Sequence, residues 1–154
     1  KKRYDKIASI EMIEAVGEQY LDQYFRTIKN SLNPGGYAAI QGITIQDDLF
    51  ERYRSNEDFI QKYIFPGGFL PSLSYIKKLT KKNKLNLEKI NSYSDDYVKT
   101  LSTWKNNFFN AWDNIAPLGF DKSFKRMWEF YLSYCEAGFK AKNIDLIQFS
   151  MSNR

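Results

Sequence analysis

Two strand-length apolar runs flank one amphipathic helix within the first 45 residues, and that order leaves few folds open. Tyr4–Ile10 (YDKIASI) is expected from its pattern to be a buried strand. From Gly17 to Pro34, the residues Tyr20, Leu21, Tyr24, Phe25, Ile28 and Leu32 fall on one helical stripe. Asn33-Pro34-Gly35-Gly36 then supplies residues that end helices and turn chains. Residues 37–45 (YAAIQGITI) form a second, mostly apolar strand. Strand, helix and strand compose a β-α-β crossover, which requires a parallel pair and a right-handed connection. The fold class is therefore α/β. No strand precedes Tyr4–Ile10, so its free edge is expected to be covered by further chain, by a second copy in a homodimer, or by swapping.

The rest of the chain continues the alternation. Residues 46–63 are charged and partly helical, and Ile64-Phe65-Pro66-Gly67-Gly68-Phe69-Leu70-Pro71-Ser72 forces an aromatic loop. Pro71 and Ser72 open a helix running to about Asn83. A strand near 85–92, a helix near 95–112, a loop at Pro117-Leu118-Gly119 and a long helix near 121–142 follow. That last helix places Phe124, Met127, Trp128, Tyr131, Leu132, Cys135 and Phe139 on one face. A final strand, residues 144–150, is expected beside the 37–45 strand. No repeat or low-complexity linker divides the chain, so residues 1–154 read as one piece.

Composition narrows the chemistry. With 43% hydrophobic and 17% aromatic residues the chain can build a core. No apolar run reaches the roughly 20 residues that cross a bilayer, and no signal-peptide core is present. One cysteine, Cys135, cannot form an internal disulfide, and the absence of histidine removes the usual neutral-pH base and the commonest zinc ligand. No metal is expected, and a reducing, cytoplasmic setting fits. Lys77, Lys78, Lys81, Lys82, Lys84 and Lys89 concentrate the positive charge, either as a solvated face or as a surface for phosphates.

In open α/β sheets ligands bind beyond the carboxyl ends of strands, which brings Glu11, Glu14 and residues 41–45 to one crevice. Each has two readings. Glu14 stands where an acidic residue also suits a helix N-terminus. Gln41 interrupts an apolar strand, as a satisfied core amide or as a ligand contact. Tyr97 heads the stripe Tyr97, Leu101, Trp104, Phe108, where a core role is common. Cys135 lacks an accompanying base and reads as packing. Pro34-Gly35-Gly36 and Pro66-Gly67-Gly68 are turns, lacking the strand-loop-helix context of a dinucleotide fingerprint.

Five segments taken in order carry a resemblance: residues 4–17 (YDKIASIEMIEAVG), 32–36 (LNPGG), 59–72 (FIQKYIFPGGFLPS), 124–132 (FKRMWEFYL) and 135–141 (CEAGFKA). Together they resemble the cyclopropane-fatty-acyl-phospholipid synthases, a group that includes the mycolic acid cyclopropane synthases. The resemblance implies the C-terminal, acceptor-side half of a Rossmann-like methyltransferase sheet of about four strands, with helical insertions forming an acyl pocket. It further implies methylene transfer from S-adenosylmethionine to the cis double bond of phospholipid acyl chains at a membrane surface, with bicarbonate as proton acceptor. Glu14 aligns with the family's carboxylate, Tyr97 with its tyrosine and Ile43 with a position offering a backbone N–H, while Gln41 stands where many members have histidine. Tyr63, Phe65, Phe69, Trp128 and Tyr131 would wall the acyl slot. The cofactor's glycine motif and the bicarbonate-contacting cysteine would lie upstream, so isolated activity is not expected. The resemblance further implies a bacterial, cytoplasmic enzyme peripheral to the membrane, with no nucleic-acid partner. A methyltransferase of another lipid or amine, and a non-enzymatic lipid-binding module, are the competing readings.

Overall fold

Alternation along β2 (Leu32–Ile45) gives the sheet its two sides. Gly36, Ala38, Ile40, Gly42 and Thr44 are buried, whereas Tyr37 and Ala39 are exposed and Gln41 and Ile43 half-buried. The computed structural model describes residues 2–154. It contains one four-stranded sheet in the order β1-β2-β4-β3, built from β1 (Tyr4–Ile10), β2, β3 (Asn86–Ser92) and β4 (Ile144–Ser152). Only the β1–β2 pair is parallel; β4 runs antiparallel to both β2 and β3. The mixed sheet, helices included, is the α/β class the sequence predicts.

The buried side packs on α1 (Glu18–Ser31) and α4 (Leu73–Lys82). Leu21, Tyr24, Phe25 and Ile28 recur at helical spacing and are all buried, which is why this segment is a helix lying on the sheet. Burying each such large apolar side chain contributes roughly 1.5–3 kcal/mol. Ser72 caps α4, its hydroxyl accepting the Tyr75 N–H at 3.2 Å. Between them lie α2 (Phe50–Arg54) and α3 (Phe59–Tyr63). Asp58 and Gln61 form a reciprocal capping box at the start of α3.

The reading of residues 33–36 as a helix stop and turn is corrected by the structure. α1 already ends at Ser31, and Asn33-Pro34-Gly35-Gly36 is a bulge inside β2. Tyr4 pairs with Leu32 and Lys6 with Tyr37, so extra residues of β2 are looped out. Proline and glycine are tolerated because Asn153 supplies partners. Its backbone bonds Gly35 and Gly36, and its side chain donates to the carbonyls of Leu32 and Asn33. Gly36 has no alternative, since a Cβ there would lie 3.0 Å from the carbonyl oxygens of Asn33 and Asp5.

Residues 94–143 leave the sheet after β3 and return to it at β4. The chain accordingly forms two compact units, one from residues up to Tyr93 with Ile144–Arg154 and one from Ser94–Asn143. No Gly/Pro linker marks the boundary, which is why the sequence shows no division. The second unit pairs α5 (Ser94–Asn110) with α7 (Lys122–Lys140), joined through the short α6 (Trp112–Ile115) and a 3-10 turn ending at left-handed Gly119. Lys105 bridges to Glu136 at 2.6 Å across the helix pair. On the predicted stripe of α7 only Leu132 and Phe139 are fully buried. Phe124 instead stacks on Trp128 with centroids 5.5 Å apart, and Tyr131 lies tilted against Trp128 at 5.0 Å.

Candidate functional site

β1 ends opposite Gln41, four residues before β2 ends at Ile45, and this difference creates the site. The last β1 rung pairs Ile10 with Gln41, and the Glu11 N–H still reaches the Gln41 carbonyl at 3.1 Å. The chain then turns away at Glu11, whose φ of 52° lies in the left-handed region, into a 3-10 helix at Ile13–Ala15. That departure leaves the next donor on this side of β2, the Ile43 N–H, without a strand partner. Glu14 supplies one: its Oε1 accepts the Ile43 N–H at 2.5 Å. A carboxylate thus stands where the next residue of β1 would have been.

Glycine makes this approach feasible. A Cβ on Gly42 would lie 2.3 Å from Ile13 Cγ2 and 3.0 Å from Glu14 Oε1, so any larger residue would have to displace both side chains for the 3-10 helix to settle on β2. The second carboxylate oxygen, Oε2, is shut off from solvent and has no hydrogen-bond partner among the described residues. Burial pushes the Glu14 carboxyl above the ordinary glutamate value; the N–H bonds from Ile43 and its own backbone oppose the shift, and the nearby Glu11 charge adds to it. An unpaired buried oxygen costs about 1–3 kcal/mol, so it marks a place where a hydrogen-bond donor is wanted.

The aromatic loop closes over the same turn. The Phe69 N–H donates to the Glu14 carbonyl at 2.8 Å, and Gln61 Nε2 donates to the Gly68 carbonyl at 3.0 Å. Tyr53 Oη accepts the Leu70 N–H, and the Ile45 N–H reaches the Pro71 carbonyl. Of the predicted wall residues, Tyr63 at the end of α3 and Phe65 on this loop are exposed. Phe69 is 6% exposed and points into the core, with its ring 5.8 Å from those of Phe50 and Tyr53.

Gln41 stands in a polar row across the open face of the sheet. Gln148 Nε2 donates to Gln41 Oε1 at 2.7 Å, and Gln41 Nε2 donates to Glu11 Oε1 at 3.0 Å. Sequence reading identified Gln41 but not Gln148, because the partner comes from β4, more than a hundred residues on. It also missed Tyr24 and Ser9, joined by a 2.8 Å hydrogen bond. Burial raises the Tyr24 hydroxyl above its ordinary value, the Ser9 bond opposes this, and the Glu14 charge adds to the rise. The alternation in β1, which turns Ser9 toward α1, was the available signal.

Glu14, Ile43 and Gln41 therefore belong to the sheet unit, where Glu14 holds the Ile43 N–H at the strand edge and the Gln41 side chain lies on the open face and reaches Glu11. Tyr97, Trp128 and Tyr131 belong to the helical unit. There Tyr97 packs on Phe139 with centroids 4.7 Å apart and on Trp104 at 6.1 Å. Cys135 is half-buried on α7 and forms no disulfide.

Comparison with known proteins adds an independent line. The family model described as mycolic acid cyclopropane synthetase matches residues 1–149. Tuberculostearic acid methyltransferase UfaA1 of Mycobacterium tuberculosis is 41% identical over 150 residues, covering 97% of this chain and 35% of that protein. The cyclopropane-fatty-acyl-phospholipid synthase of Escherichia coli K12 is 34% identical over 151 residues, covering 97% of this chain and 38% of the synthase. This chain thus spans little more than a third of the length of these relatives. Among solved structures, mycolic acid cyclopropane synthase CmaA1, complexed with SAH and CTAB, superimposes with a TM-score of 0.87 at 24% identity. That match covers 99% of this chain and 56% of the other and establishes a shared fold.

Proposed function

We propose, from the premise that this chain belongs to the mycolic acid cyclopropane synthetase family, that it forms the acceptor side of an S-adenosylmethionine-dependent enzyme. Its substrate is an unsaturated acyl chain of a phospholipid, and its product carries a cyclopropane ring. The observation that carries this reading is the orphaned, buried Oε2 of Glu14 at the carboxyl edge of the sheet.

The residues fit bicarbonate in one respect above others. Oε2 would accept the hydrogen bond of a bicarbonate hydroxyl, filling the vacancy in its bonding while the Ile43 N–H holds Oε1 and fixes the carboxylate plane. The resemblance gives the Ile43 N–H directly to bicarbonate. Here that donor is engaged by Glu14, so its role becomes positioning. Gln41, oriented by Gln148, cannot titrate and acts as a fixed amide dipole. Tyr63 and Phe65 at the crevice loop, and Trp128 and Tyr131 in the helical unit, offer ring faces suited to an acyl chain and to a passing cation. Bound S-adenosylmethionine supplies an activated methyl group. Its cradle is expected mainly from the part of such an enzyme that these 154 residues do not provide.

A second reading keeps the cofactor and stops at a methyl branch. It is favoured by the 41% identity to a relative named as a methyltransferase of tuberculostearic acid. The deciding assay supplies methyl-labelled S-adenosylmethionine and unsaturated phospholipid vesicles to the whole protein. Cyclopropyl proton signals in the recovered lipid support ring closure, and label in a branched chain supports the second reading. In that assay Glu14→Gln is expected to cut ring formation at least 100-fold while sparing affinity for S-adenosylhomocysteine. Turnover equal to wild type would remove Glu14 from the mechanism.

A further inference from the structure

The net positive charge of this protein is matched by that of one short segment. Residues 77–89 hold six lysines and one glutamate, a net +5 that equals the net charge of the entire chain, so the remaining residues balance. All six lysines are exposed. Lys82 pairs with Asp22 at 3.1 Å, whereas Lys78, Lys81, Lys84 and Lys89 make no ion pair among the described residues. Like charges at helical i, i+4 spacing repel, so Lys77 and Lys81 oppose one another on α4, whereas Asp22 already meets the charge of Lys82.

The structure gives these charges a shape. Lys77, Lys81 and Lys84 line a groove of about 340 Å³ together with Thr80 and Asn86. Lys84, at φ 54°, turns the chain from α4 into β3, and Lys29 Nζ donates to its carbonyl at 2.8 Å, tying the end of the groove to α1. The ridge begins one helical turn past Ser74, beyond the Ile45–Ser72 bridge, and runs toward the opposite end of the sheet, where Asn86 pairs with Ser152 and Ser152 with Tyr37.

We propose that this lysine ridge and groove dock the chain on the anionic phosphate headgroups of a phospholipid bilayer. The proposal rests on the lipid-modifying reading above and adds the surface that would meet the lipid. Charge complementarity favours this occupant: lysine side chains near an anionic leaflet attract it additively, and their stems reach into the headgroup layer. Single-stranded nucleic acid is disfavoured, because no aromatic ring for base stacking occurs anywhere in residues 77–89.

The test is co-sedimentation of the 154-residue chain with phosphatidylglycerol or phosphatidylcholine vesicles at low and high salt, with mixed-sequence RNA as a competitor. Binding to phosphatidylglycerol alone, weakened by salt and resistant to RNA, is expected. The triple variant Lys77→Glu, Lys81→Glu, Lys84→Glu should lose at least about tenfold in affinity. A triple variant of equal charge, Lys99→Glu, Lys122→Glu, Lys140→Glu, should retain wild-type binding. Circular dichroism verifies that both stay folded, and Lys→Arg changes at the three groove positions should preserve binding. No binding by the wild type, equal loss in both triple variants, or displacement by RNA would each overturn the proposal. Because no turnover is measured, its failure leaves the proposed reaction standing, and a failed reaction leaves vesicle binding unaffected.

Discussion

Glu14 and Gly42 are coupled through space, and each predicts a measurable effect. Because burial raises the Glu14 carboxyl, the folded chain takes up this proton at a higher pH than the unfolded chain does. The resulting contribution to stability is fully present below the ordinary glutamate value and is lost as pH rises through the raised one. Urea midpoints for wild type should therefore decline across that interval relative to Glu14→Gln, whose amide does not titrate. Parallel curves would show that the carboxyl is not perturbed. Gly42→Ala should cost about 1–3 kcal/mol, since the new methyl must displace Ile13 and the Glu14 carboxylate together. Thermal melting measures it; an unchanged midpoint would mean that the 3-10 helix yields freely. Substituting the side chain of Ile43 should leave the hold on Glu14 intact, because the donor is backbone.

Local elements were legible where one pattern governed them. The stripe of α1, the Ser72 start of α4 and the pairing of the last strand with β2 all follow from periodicity and capping chemistry. Glu14 and Gln41 were legible as crevice residues because carboxyl ends of neighbouring strands converge. What escaped depends on contacts distant in sequence. Pro34-Gly35-Gly36 reads as a stop unless Asn153 is known to sit opposite, and the amide row of Gln41 needs Gln148 from the far end of the chain. The gap between Gly42 and Ile13 is invisible without three dimensions. Ser72 caps α4, its hydroxyl accepting the Tyr75 N–H, and beside it Ser74 donates its N–H and hydroxyl to Asp47, whose carboxyl the Ser72 and Ser74 side chains hold below the usual aspartate range. Ser72→Ala should cost about 1–2 kcal/mol and speed hydrogen exchange at the Tyr75 amide. Retained protection there would assign the start of α4 to packing alone.

At the scale of the whole molecule, burial is uneven. Leu101, Leu132 and Phe139 are the fully buried apolar residues among those described in Ser94–Asn143, whereas the sheet unit buries a continuous cluster from Ile13 to Met151. Hydrogen exchange should accordingly open α5 and α7 at lower free energy than the β2–β4 ladder, and equal protection of both would contradict this ranking. The points where the helical unit leaves and rejoins the sheet are adjacent rungs: Ser92 pairs with Ile147, and the Tyr93 N–H reaches the Leu146 carbonyl at 2.8 Å. A two- to five-residue hairpin turn would fit the same opening. Fifty residues thus stand between two adjacent rungs that a turn would otherwise join. A segment anchored at a single rung can change in length or sequence while the register of β3 on β4 stays fixed.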